Sequence, residues 1–270
     1  MCRVLGCVAH EPVSLRHELV EADNPLIRQS EEHDSGWGLA AYRAAEGEPP
    51  TCMRFPTTVA DDFDAATELR GRLFNVHVRR ATVGGLEERN THPFCLGNYS
   101  FSHNGTIIEF GRLREPGVAP PTGSTDSEQF FNLLMRDYDP AHPVPSLRRA
   151  VATSVERTSM SGLNFLFSDG ERLYAYRLGM FELHWRAAGD RLLVASECIG
   201  DPGAWHSVQQ DVLLTLDPAD PDEPHAERLV GDELLSRARI VDFSDGAHLR
   251  GEARGSFAAR QAERLLATGD

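Results

Sequence analysis

The residue with the most chemistry to offer stands at the head of the chain: Cys2, in the opening string MCRVLG. A second residue as small as cysteine favours removal of the initiator Met. That would leave a thiol and a free α-amine on one residue. An α-amine titrates near about 7.7–8.0, so part of it is a neutral base at pH 7, and an ordinary cysteine thiol titrates near about 8.5. Together they supply a nucleophile and its own general base. Taken alone, an early cysteine could equally be a small apolar residue buried in a strand. Five further strings carry side chains of chemical interest. They are residues 33–40 (HDSGWGLA), 77–85 (HVRRATVGG), 90–94 (NTHPF), 101–107 (FSHNGTI) and 123–131 (GSTDSEQFF).

Composition removes several chemistries. The 270 residues include 27 basic and 41 acidic side chains, a formal charge of −14, and every basic residue is Arg. Without a lysine there is no Schiff-base or pyridoxal chemistry, no P-loop NTPase and no Ser–Lys hydrolase. The acidic balance argues against non-specific binding of nucleic acid or an anionic membrane. Cys2, Cys7, Cys52, Cys95 and Cys198 form no CxxC pair, and an odd, scattered set suits a reducing cytoplasm better than a disulfide scaffold. No secretory signal opens the chain, and no apolar run approaches the roughly 20 residues that span a bilayer. His77, His92, Cys95 and His103 lack zinc-ligand spacing, so neither a metal nor a cofactor is expected. A papain-like Cys–His pair would not place its cysteine at the terminus.

The elements that must hold these residues are legible in outline. Residues 3–9 read as a strand, 36–42 as a second strand and 59–71 as a helix with Phe63, Ala66 and Arg70 at helical spacing. Residues 73–79 alternate as a strand, and the proline-bearing stretch 111–123 reads as a loop. Thr125 and Glu128 form a capping box for a helix through Tyr138, and Pro145 leads another to about Arg157. Strands at 163–167, 172–177, 183–187 and 191–196 follow as a meander, turning at Asp169-Gly170 and Gly189-Asp190. The acidic, proline-rich stretch 217–225 reads as a surface loop or linker, and 255–267 as a terminal amphipathic helix. This order favours α+β layering over a doubly wound parallel sheet.

The six motifs, in this order and at these intervals, resemble the class II glutamine amidotransferase family of N-terminal nucleophile hydrolases over roughly residues 2–135. The likeness extends more loosely to about residue 216 through 191–197 (RLLVASE). The resemblance implies a four-layer αββα sandwich, with residues 2–216 as the amidotransferase domain and 217–270 as an acidic loop and helix packed on it. It implies that Cys2 attacks a γ-amide carbonyl. The side-chain N–H of Asn104 and the backbone N–H of Gly105 would then stabilise the oxyanion, on a turn where glycine lets the backbone approach closely. Arg79 would grip the substrate α-carboxylate, Asp126 would take the α-ammonium, and Thr82 matches a position that also touches substrate. Arg80 stands where synthase members often have Trp, and Val83 where some have His. Trp37 could wall the nucleophile or be core, and Asn90 and His92 read as hydrogen-bonders that fix a loop.

The expectation is a stand-alone cytoplasmic enzyme that cleaves glutamine or another γ-glutamyl amide through a Cys2 thioester. No acceptor or nucleotide motif follows the last strand, so ammonia could pass to a separate synthase partner. The alternatives are a γ-glutamyl-hercynylcysteine sulfoxide hydrolase of the ergothioneine branch and a non-catalytic, glutamine-binding regulatory subunit.

Overall fold

The computed structural model describes residues 2–43, 48–58 and 60–241. Its central strand, β1 (Arg3–Val13), has side chains that alternate between two different cores, as a strand buried on both faces requires. Leu5, Cys7 and Ala9 point one way, and Val4 and Val8 point the other. Gly6 shares the second face. A Cβ there would lie 2.4 Å from the Leu173 side chain of the opposing sheet and 2.7 Å from that of Val194 on β10, so any larger residue would have to displace these side chains.

β1 lies fourth in a seven-stranded sheet. On one side it pairs antiparallel with β4 (Gly71–Val78), which pairs with β2 (Trp37–Tyr42) and through it with the edge strand β3 (Thr51–Phe55). On the other side stand β10 (Arg191–Ala195), β9 (His184–Ala188) and the short β11 (His206–Ser207). The second sheet runs β13 (Asp220–Arg228), β12 (Val212–Asp217), β8 (Leu173–Arg177), β7 (Ser159–Ser168), β6 (Tyr99–Ile108) and β5 (Phe94–Leu96). β14 (Arg239–Ile240) joins it parallel to β7.

Helices cover both outer faces. α1 (Leu26–Ser30) and α2 (Ala60–Thr67) pack on the first sheet, where Leu26, Phe63 and Ala66 meet Leu5 and Trp37. α3 (Asp126–Arg136) and α4 (Pro143–Arg157) pack on the second, where Phe130, Leu134 and Leu147 meet Phe101, Phe165 and Tyr176. A short α5 (Asp232–Leu235) adds Leu234 and Leu235 at the rim of that core. Leu73, Leu166, Leu192 and Leu214 fill the space between the sheets. Three apolar cores therefore separate four layers, helix–sheet–sheet–helix, the αββα sandwich of the N-terminal nucleophile hydrolases. Among the described residues no helix is long and apolar enough to cross a membrane.

Several local expectations need correction. Residues 217–225 are not a free loop: β13 pairs with β12 as an edge strand. Pro221 and Pro224 sit where the register shifts between Thr215 and Asp217, at an edge and an irregularity that tolerate a missing N–H. The helix expected over 59–71 stops at Thr67, because Gly71 already pairs with Val13 as the start of β4. A short 3-10 turn, Phe110–Leu113, opens the stretch expected to be loop. Cys52 and Cys95 are paired as a disulfide, 43 residues apart in sequence and 6.9 Å between Cα atoms, where β3 and β5 bring the two sheets together. Linear spacing gave no hint of that approach. The terminal helix expected at 255–267 lies outside the described residues.

Candidate active site

The register of two central strands places Cys2. Arg3 pairs with Val78, so Cys2, one residue before β1, stands beside Arg79 and Arg80, just past the end of β4. The Cys2 thiol accepts the Arg80 amide N–H at 3.3 Å and lies 3.5 Å from the Arg80 carbonyl, to which it donates. Cys2 keeps some accessible surface, yet its sulfur is packed deeply enough that burial pushes the thiol pKa up. The Arg80 hydrogen bond and the Arg79 charge pull it down, and Asp126 pushes it up. An unassisted thiol here is therefore a poor thiolate, and its proton needs a base.

Arg79 is 2% exposed, and its guanidinium donates to the carbonyls of Val83 (2.8 Å), Gly84 (3.2 Å) and Gly85 (2.9 Å). The sharp bend of residues 83–85 wraps the guanidinium. Burial lowers the Arg79 pKa, while Cys2 and Asp126 raise it, so all three lie within electrostatic reach. Thr82, on the same bend, meets the Thr106 hydroxyl at 3.0 Å and ties the bend to β6.

Asn104 and Gly105 are not on a hairpin turn, as the Asn-Gly dipeptide suggests. They lie within β6, opposite Asn164 and Leu163 of β7, and the register slips only after Thr106. A Cβ on Gly105 would fall 2.0 Å from the Gly162 carbonyl oxygen. Close strand approach, not turn geometry, is what demands glycine here. The Asn104 side chain is 2% exposed, and its Oδ1 is buried without a hydrogen-bond partner among the described residues.

Asp126 opens α3, whose N-cap, Thr125, accepts the Glu128 amide N–H at 3.2 Å. Only half of the expected capping box forms. The Glu128 carboxylate reaches the N–H groups of Thr122 (2.7 Å) and Gly123 (2.8 Å) instead. Asp126 Oδ2 accepts the Ile107 N–H at 2.6 Å. Burial raises the Asp126 pKa, partly offset by His103 and by the Ile107 amide.

The remaining motif residues divide. Asn90 fixes the loop, donating to Gly85 and accepting from Ser124 N–H at 2.9 Å. His92 does not: both its ring nitrogens are buried without a hydrogen-bond partner among the described residues, and the ring lies tilted against His77, 4.3 Å between centroids. Trp37 is core, sandwiched between Phe63 (4.0 Å) and Phe55 (5.3 Å). Ser161, which accepts the Thr106 N–H at 3.1 Å, and Ser127 were given no part by the sequence. A serine that positions a backbone carries no pattern to betray it.

A thiol at the head of a central strand, beside a buried cation and a buried anion, sits in an αββα fold of the N-terminal-nucleophile-hydrolase type. The sequence pattern of the glutamine amidotransferases class-II matches residues 1–188, and the chain belongs to that family. It is 28% identical over 206 residues to an uncharacterized protein of Methanocaldococcus jannaschii, covering 68% of this chain and 54% of that one. It is 33% identical over 139 residues to the glutamine–fructose-6-phosphate aminotransferase (isomerizing) of Rhizobium meliloti, covering 50% of this chain and 22% of that one. The chain thus spans about half the length of the first relative and less of the second. A glutamine aminotransferase class-II domain protein from Silicibacter pomeroyi superposes with a TM-score of 0.61 at 22% identity, covering 85% of this chain and all of that one.

Proposed function

We propose that the chain cleaves the γ-amide of glutamine or of another γ-glutamyl amide through a thioester on Cys2. The observation that carries this reading is the grouping of the Cys2 thiol with buried Arg79 and Asp126. The Cys2 α-amine, freed by loss of Met1, takes the thiol proton as Sγ adds to the γ-carbonyl carbon. The oxyanion meets the N–H groups of Asn104 and Gly105. Collapse expels the amine, which carries off the proton, and water then resolves the glutamyl thioester to free glutamate and thiol. Arg79 holds the α-carboxylate, Asp126 the α-ammonium, and Thr82 closes the bend over the substrate. In the Rhizobium meliloti relative the likeness is confined to 22% of a longer chain. That supports a partner for this chain: a separate synthase subunit that accepts the ammonia.

The test exploits the absence of lysine. Once Met1 is removed, the only primary amine is the proposed base. Intact-mass analysis reports the processing, and a panel of γ-glutamyl amides reports turnover by glutamate release. Acylation of that single amine abolishes turnover. Full activity with Met1 retained, or with the amine acylated, would overturn the reading.

A further inference from the structure

Two residues of β6, His103 and Ile107, bond to consecutive residues of α3. His103 Nδ1 lies 2.9 Å from Ser127 Oγ, and the Ile107 N–H lies 2.6 Å from Asp126 Oδ2. Asn104 and Gly105 lie between them. The oxyanion donors are therefore bracketed by two ties to the helix terminus that carries the ammonium acceptor.

The protons on the His103 ring follow from its partners. Nε2 faces the Gly162 carbonyl at 3.1 Å, which only accepts, so Nε2 carries a hydrogen. Burial favours the neutral ring, so Nδ1 offers its lone pair to the Ser127 hydroxyl. Behind this pair, His77 Nε2 faces the carbonyl of His103 itself at 3.1 Å and donates to it by the same logic. Each link adjoins a site residue: His77 is two before Arg79, His103 precedes Asn104, and Ser127 follows Asp126.

We propose that His103 is a positioning residue that sets the span between the oxyanion donors and Asp126, acting through Ser127 and braced by His77. This rests on the γ-glutamyl reading above. A γ-glutamyl substrate has a fixed number of carbons between its ammonium and its γ-carbonyl. A displacement of about 1 Å between the two receiving groups can cost about 10²-fold in rate. A substrate without the α-ammonium engages only one end of the span and is indifferent to its length.

The experiment compares Ser127→Ala and Ser127→Thr with the parent protein, on glutamine and on its analogue lacking the α-amine, glutaramate. Ser127→Ala is expected to lower kcat/KM for glutamine about tenfold or more, while the glutaramate value moves less than about twofold. Ser127→Thr, which keeps the hydroxyl, restores the glutamine value. Equal losses on both substrates, or none on either, would overturn the relay. Binding is read separately in the Cys2→Ala background by calorimetry with L-glutamate and glutarate. There Ser127→Ala weakens L-glutamate and spares glutarate; a matched change in both counts against the relay. If the background protein with Ser127 intact binds neither ligand, the γ-glutamyl reading fails, and the relay with it.

Discussion

The Cys2 thiol is held by a single residue of the neighbouring strand end, accepting the Arg80 N–H at 3.3 Å and facing the Arg80 carbonyl at 3.5 Å. Because these contacts use only backbone atoms, they survive a change of side chain at position 80. Replacing the thiol itself should act on chemistry alone. Cys2→Ala is expected to lower glutamate release more than about 10³-fold while the thermal midpoint stays close to the parent value. A Cys2→Ala protein that turns over at an appreciable rate would show that the nucleophile lies elsewhere.

Asn104→Ala and Gly105→Ala should separate donor loss from steric damage. Removing the Asn104 amide is expected to cost about 10²–10³ in kcat with little change in KM. At Gly105 a methyl group would meet the Gly162 carbonyl oxygen at 2.0 Å, so β6 and β7 must part. That variant loses both activity and about 1–3 kcal/mol of stability, read in a denaturant titration.

Asp126 should show a conflict between stability and binding. Its pKa lies above the ordinary 3.8, mainly through burial. As pH rises past 3.8 the unfolded chain loses this proton first, so the folded state binds more protons and stability falls through that window. Asp126→Asn carries no such penalty. It should melt higher than the parent at pH 7, with the gap closing below pH 3.8, and should raise KM for glutamine. A variant that melts lower at pH 7 would contradict the assigned sign.

Buried histidines predict acid sensitivity of the opposite sign. Burial pulls His77 from 6.5 to about 3 and also lowers His92 and His103. Their contribution is present in full above pH 6.5 and is lost as pH falls and the unfolded chain takes up their protons. Each proton steepens the loss by about 1.4 kcal/mol per pH unit. Denaturant midpoints measured from pH 7 to pH 5 should fall, and His77→Gln should remove one proton from the slope. A flat profile would mean these rings are more hydrated than their burial implies.

Thiol counting checks the pairing of the two sheets. With Cys52 and Cys95 joined, three cysteines react in unfolded, unreduced protein: Cys2, Cys7 and Cys198. All five react after reduction. By chain entropy a link across 43 residues contributes about 4 kcal/mol, so Cys52→Ser is expected to lower the denaturation midpoint. Five reactive thiols before reduction would refute the bond.

Much of this molecule is written locally. The buried strands β1, β4 and β7, the N-cap of α3 and the turns at Asp169-Gly170 and Gly189-Asp190 are legible because alternation, capping and turn chemistry act over a few residues. Cys2, Arg79, Asn104, Gly105 and Asp126 stand out as candidates for the same reason, since ordered motifs need no geometry to be recognised. Relations between distant segments are not. The Asn104-Gly105 dipeptide reads as a turn until β7 lies beside it, and the acidic proline stretch reads as a loop until β12 offers an edge. Cys52 and Cys95 look unrelated until two sheets close, and His103 and Ser127 look incidental until β6 meets α3. Each of these depends on contacts between residues far apart in the chain, which only packing the layers together creates.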